Sequence, residues 1–91
     1  MVISKMLELS TMHLTYETCT LMDGGKFRIA EYPCGYFVYA DPWQIKHEDV
    51  SDYPKDLLAC IKLALEYDCT YIIFDSDVEP IEDLPTYDWD W

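Results

Sequence analysis

No lysine or arginine occurs between Leu63 and Trp91, although those 29 residues contain nine acids: Glu66, Asp68, Asp75, Asp77, Glu79, Glu82, Asp83, Asp88 and Asp90. The first 62 residues hold the other nine acids and all six bases, so three quarters of the net charge of -12 sits in the last third. Phosphates are neutralised by Lys and Arg, so this scarcity of positive charge excludes direct binding to DNA or RNA. Acidic charge this dense repels itself and calls for a positive surface to meet it.

Other absences narrow the reading further. Cys19, Cys34, Cys60 and Cys69 form no C-x-x-C pair, which removes the spacing of a zinc or thioredoxin-like site and leaves them as expected reduced thiols. There is no glycine-rich phosphate loop, nucleophile elbow or H-E-x-x-H helix. The expectation is a protein that is not an enzyme, with no catalytic residue, metal or cofactor. No apolar run approaches the roughly 18 residues of a membrane span, and no charged leader precedes an apolar stretch. A soluble, cytoplasmic protein without membrane contact is expected.

What the chain does have is material for a core. With 51% hydrophobic and 15% aromatic residues it lies far from a disordered acidic tail, and 91 residues make one small domain, 1–91. Met1 to Leu9 reads as a strand, Ser10 to His13 as a short polar stretch, and Thr15 as the N-cap of a helix to about Met22, stopped by Gly24 and Gly25. Phe27 to Tyr32 and Gly35 to Ala40 flank Pro33-Cys34-Gly35 and read as an antiparallel hairpin. Asp41 to Tyr53 reads as a polar connection. Pro54 opens an amphipathic helix with Leu57, Leu58, Ile61, Ala64 and Leu65 on one face. Thr70 to Asp75 is an apolar run suited to a central strand, and Asp77 to Trp91, broken by Pro80 and Pro85, reads as a tail with one short strand. The order β-α-β-β-α-β predicts an α+β fold, a two-layer sandwich on the ferredoxin-like plan. Its expected core joins Phe37, Val38, Leu57, Leu58, Ile61, Leu65, Ile72 and Phe74.

Few constellations could carry chemistry. Asp75-Ser76-Asp77 after an apolar strand superficially resembles the loop of haloacid-dehalogenase-type phosphatases, but Glu79 replaces the small hydroxyl residue and the larger α/β domain is missing. An EF-hand loop would need a third oxygen ligand, a Gly and a terminal Glu at fixed spacing. A weak divalent ion on Asp75, Asp77 and Glu79 competes with simple hydrated carboxylates. His13 beside Asp75 and Asp77 is the remaining enzymatic arrangement, against a half-buried His13 bonded to the backbone; His47 reads as a loop residue. On a continuing strand, Asp75, Asp77 and Glu79 would project from one face roughly 6.6 Å apart, an anionic row like a phosphate backbone. Asp88 and Asp90 would form a second row, with Trp89 and Trp91 on the other side as partner-binding anchors. The plain alternatives are a solvated acidic surface and aromatics that close the core.

Three segments carry a resemblance: Ser10-Thr11-Met12-His13-Leu14-Thr15, the Tyr32 to Tyr39 hairpin and Leu84-Pro85-Thr86-Tyr87-Asp88-Trp89. Through them the chain resembles, over nearly its whole length, a family of small acidic bacterial proteins of plasmids, conjugative elements and prophages, known as a domain of unknown function. Tyr16 stands where members commonly have Pro, and Asp90-Trp91 extend past the usual end. The resemblance implies the company of inhibitors of host defence, anti-restriction and anti-CRISPR proteins, several of which are DNA mimics. The expected function is a non-enzymatic inhibitor that occupies the nucleic-acid-binding site of a defence nuclease or CRISPR effector. Asp75, Asp77, Glu79, Glu82, Asp83, Asp88, Trp89, Asp90 and Trp91 would make the contacts. The alternative is a structural or regulatory interaction module, an accessory or antitoxin-like factor of the same element. Oligomeric state is left open by the sequence.

Overall fold

A computed structural model describes residues 3–23, 29–32 and 35–87, with the main chain alone at residues 23 and 29–32. The elements are β1 (Met6–Ser10), a 3-10 turn (Thr11–His13), α1 (Tyr16–Asp23), β2 (Ile29–Tyr32), β3 (Gly35–Tyr39), α2 (Pro42–Lys46), α3 (Lys55–Glu66) and β4 (Tyr71–Asp75). Each long element falls where its periodicity placed it. Three local expectations need correction. The first strand begins at Met6. The supposed polar connection contains α2, because the Asp41 side chain accepts the Trp43 N–H at 3.0 Å and Pro42 fits the first turn of a helix. The strand expected after Asp77 does not form among the described residues: beyond Asp75 the chain runs in turns and coil to Tyr87.

The four strands form one mixed sheet in the order β1-β4-β3-β2. β1 runs parallel to β4, and the other pairs are antiparallel, with Ile29 opposite Val38 in the expected hairpin. Apart from the added α2, the element order and the two-layer sandwich stand, while the strand order departs from the ferredoxin-like plan, in which the first strand lies inside the sheet. Here β4 takes the interior. Its run Tyr71-Ile72-Ile73-Phe74 suits a strand paired on both sides, whereas Met6 and Glu8 of β1 are exposed and suit an edge.

Alternation sorts the two faces. Leu9, Val38, Ile72 and Phe74 point to the helices and join Leu14, Met22, Leu57, Cys60, Ile61 and Ala64 in one buried cluster, against which Leu65 packs partly exposed. Phe37 does not belong to that core. Neighbouring residues on a strand face opposite ways, so burying Val38 turns Phe37 outward, where its ring stacks on Tyr71 at 4.9 Å. Gly35, which the sequence assigns to a turn, meets a different demand: a Cβ there would lie 1.7 Å from the Phe74 carbonyl oxygen of β4. Main chain cannot yield to that overlap.

The helices are tied by one carboxylate. Thr15 caps α1 by accepting the Thr18 N–H at 3.2 Å, and its own N–H donates to Asp56 Oδ2 at 2.8 Å. In a capping box that second bond comes from the helix itself; here it comes from the first turn of α3. The buried Thr18 hydroxyl donates to Asp56 Oδ1 at 2.7 Å, so Asp56 sits where both helix dipoles favour negative charge. At the far end of α3, Cys69 N–H bonds Ala64 O at 2.8 Å and Asp68 N–H bonds Leu65 O at 3.1 Å, the paired bonds of a Schellman stop. Asp68 takes the left-handed position, with φ of 58°.

Candidate functional site

The acidic segment after β4 is shaped by its own first residue. Asp75 Oδ1 accepts the Asp77 N–H at 2.9 Å and the Asp75 carbonyl accepts the Val78 N–H at 3.3 Å, which bends the chain at the strand end. Asp75, Asp77 and Glu79 therefore do not form the strand row with regular spacing. Instead residues 76–87 run as a strap across the end of the domain. Ile81 packs on the core and Leu84 is buried, while Asp77, Glu79, Glu82 and Asp83 are exposed and Asp75 is half-buried. Asp88, Trp89, Asp90 and Trp91 lie outside the described residues, and so does the second acidic row.

His13 holds the strap down. It is 2% exposed; the Ile81 N–H donates to its Nε2 at 3.0 Å, so Nε2 carries no proton and Nδ1–H donates to the Pro85 carbonyl at 2.9 Å. Next to it, the Tyr87 N–H donates to the Met12 carbonyl at 2.9 Å. Each residue around His13 also has a local task. Ser10 caps the 3-10 turn by accepting the Met12 N–H at 3.1 Å, the Leu14 N–H bonds Thr11 O at 3.0 Å, and Leu14 is fully buried. The Ser10 to Thr15 and Leu84 to Tyr87 segments, far apart in sequence, thus form one clasp. Both ring nitrogens of His13 are engaged by main chain, so neither is available to Asp75, Asp77 or a substrate.

Elsewhere the polar groups stay scattered. Among the described residues no three His, Cys, Asp or Glu gather closely enough to hold a metal ion. His47 is exposed, its ring tilted 34° against that of Trp43 with centroids 4.7 Å apart. A cleft of about 420 Å³ beside α3 is lined by Glu48, Asp49, Lys55, Leu58, Ala59 and Lys62, charges of both signs around an apolar floor. Cys60 is fully buried, and burial, with the Asp56 carboxylate adding to it, pushes its thiol up to about 12. Such a group is a packing residue and no nucleophile at neutral pH. No described helix is long and apolar enough to cross a membrane.

One surface escaped the sequence reading. On the sheet face turned away from the helices, Tyr71 stacks with Phe37 and lies 5.9 Å from Tyr39. The signal for it was present in the alternation of Gly35 to Tyr39, which places Phe37 and Tyr39 together once Val38 is assigned to the core.

No curated protein and no solved structure matches this chain. A family model does, over residues 6–89, spanning β1, the clasp and most of the acidic end. The chain belongs to the family of unknown function DUF5983, whose C-terminal domain it matches.

Proposed function

We propose that this domain works without catalysis, by presenting an acidic surface to the nucleic-acid-binding site of a basic protein, as an inhibitor of a defence nuclease or CRISPR effector in the cytoplasm. The observation that carries the reading is the exposed, uncompensated charge of the last third. Glu66, Asp68, Asp77, Glu79, Glu82 and Asp83 are all exposed, in a stretch of sequence without Lys or Arg. Such a surface attracts a cationic groove from a distance and competes with the phosphates that groove normally holds. The resemblance to mobile-element proteins supports the choice of a defence protein as partner, and the engagement of His13 in the clasp supports a role without chemistry.

The test is capture of partners from a bacterial host at moderate salt, followed by competition with DNA or guide RNA. Binding is expected to fall steeply with salt. The combined variant D77N/E79Q/E82Q/D83N should release the partner; retention at full affinity would defeat the reading. A regulatory module of a mobile element is the second reading, favoured by the aromatic sheet face. Capture of a neighbouring element-encoded protein instead of a nuclease would select it.

A further inference from the structure

We infer that the face of the sheet turned away from the described helices, called the open face below, is a docking surface for arginine side chains of a protein partner. This rests on the reading of the domain as a binder of a basic protein surface, and it assigns the central contact to the sheet. The strap then supplies long-range attraction.

The face is assembled by register. Met6, Tyr71 and Tyr39 lie in one row across β1, β4 and β3, and Glu8, Ile73 and Phe37 lie in the next. Phe37 stacks on Tyr71 with planes 28° apart, and Tyr39 leans on the same ring at 57°. Met6 is 49% exposed, Glu8 is exposed, and the three rings and Ile73 are each partly exposed. α1 and α3 bury Cys19, Met22, Leu57 and Ile61 against the opposite face, where Ile45 of α2 and the strap residues Ile81 and Leu84 pack as well. Described residues of the open face on β1, β3 and β4 include the carboxylates Glu8 and Asp75 and neither Lys nor Arg.

The chemistry of that combination selects its occupant. Ring faces carry negative electrostatic potential and attract cations lying over them. A guanidinium is planar and weakly hydrated, so it stacks on such rings while its N–H groups reach a carboxylate; an ammonium is compact and strongly hydrated. Glu8 is one strand spacing, roughly 5 Å, from Ile73 and the Tyr71 strand, within reach of a guanidinium lying on the rings. A second copy of this chain is a poor occupant, because it brings another charge of -12 to a face already holding two carboxylates. Single-stranded nucleic acid could use the rings as a stacking platform, yet it also needs a cationic groove, and the charge here is of the opposite sign.

The experiment titrates the full chain with three probes: a synthetic peptide alternating Arg and Ser, its Lys counterpart, and a single-stranded RNA oligomer. Affinity is measured by calorimetry, and ring contact by NMR shifts of Phe37, Tyr39 and Tyr71 with upfield movement of the Arg methylene signals. The Arg peptide should bind more tightly than the Lys peptide, and Phe37→Thr or Tyr39→Thr should each weaken it severalfold. Threonine keeps strand propensity, and Glu8→Gln, at an exposed edge position, probes the same site if a ring variant unfolds. Equal binding of Arg and Lys peptides, or Arg binding indifferent to all three substitutions, overturns the sheet assignment. If D77N/E79Q/E82Q/D83N still weakens that binding, the acidic-binder reading survives; if no peptide binds in a salt-dependent way, that reading falls too. Ring-dependent binding of the RNA oligomer would also overturn the inference.

Discussion

Removing the His13 side chain should detach the acidic strap and cost a large share of the domain's stability. His13→Ala deletes the acceptor of the Ile81 N–H and the donor to the Pro85 carbonyl, at 3.0 and 2.9 Å, and empties the space of an imidazole that is 2% exposed. Two neutral hydrogen bonds at about 1 kcal/mol each, with a further ~1 kcal/mol for the void, give a loss of about 3 kcal/mol. In a domain of this size that corresponds to a fall in melting temperature of roughly 15 °C. The two nitrogens can be tested separately. In His13→Asn the amide nitrogen stands near Nδ1 and keeps the bond to Pro85; in His13→Gln the amide oxygen stands near Nε2 and keeps the bond from Ile81. Each should recover part of the loss. Thermal denaturation gives the ranking, and hydrogen exchange at the Ile81 and Tyr87 amides reports whether the strap opens ahead of global unfolding. A His13→Ala protein with unchanged melting temperature and full protection at Ile81 would refute the clasp and reopen a chemical role for the ring.

Two further outcomes follow from other parts of the fold. The Cys60 thiol is raised from its ordinary 9.0 to about 12, so the folded state favours the neutral thiol; that contribution is complete below about pH 9 and is lost as pH climbs to about 12. Denaturation midpoints across that window should fall more steeply for the wild type than for Cys60→Ala, and parallel slopes would contradict the assignment. Asp68→Gly should stabilise the protein by about 1 kcal/mol, because the left-handed position with φ of 58° strains any residue bearing a Cβ. A lower melting temperature in that variant would mean that the Asp68 side chain contributes more than its backbone costs.

Features that depend on neighbours within a few positions are legible in the amino-acid order alone. The α3 helix follows from apolar residues three and four apart behind Pro54, the hairpin from two β-rich runs beside a tight turn, and the excess charge of the last third from counting. Thr15 was legible as an N-cap for the same reason, since its partner Thr18 is one turn away. Tertiary structure decided everything that needed a distant partner. Strand order depends on which run gains most from pairing on both sides, and that put β4 inside and β1 at the edge. The burial of Val38 sent Phe37 to the opposite face, because a strand can turn only alternate residues inward. The carboxylate row failed at Asp75, whose side chain found the Asp77 amide and made a turn. His13 looked like a possible functional group in the sequence, and the fold gave it Pro85 and Ile81; it likewise gave Asp56 the distant partners Thr15 and Thr18. A buried polar atom must be satisfied wherever a partner comes to hand, and that partner is supplied by chain folding over tens of residues, which no local pattern encodes.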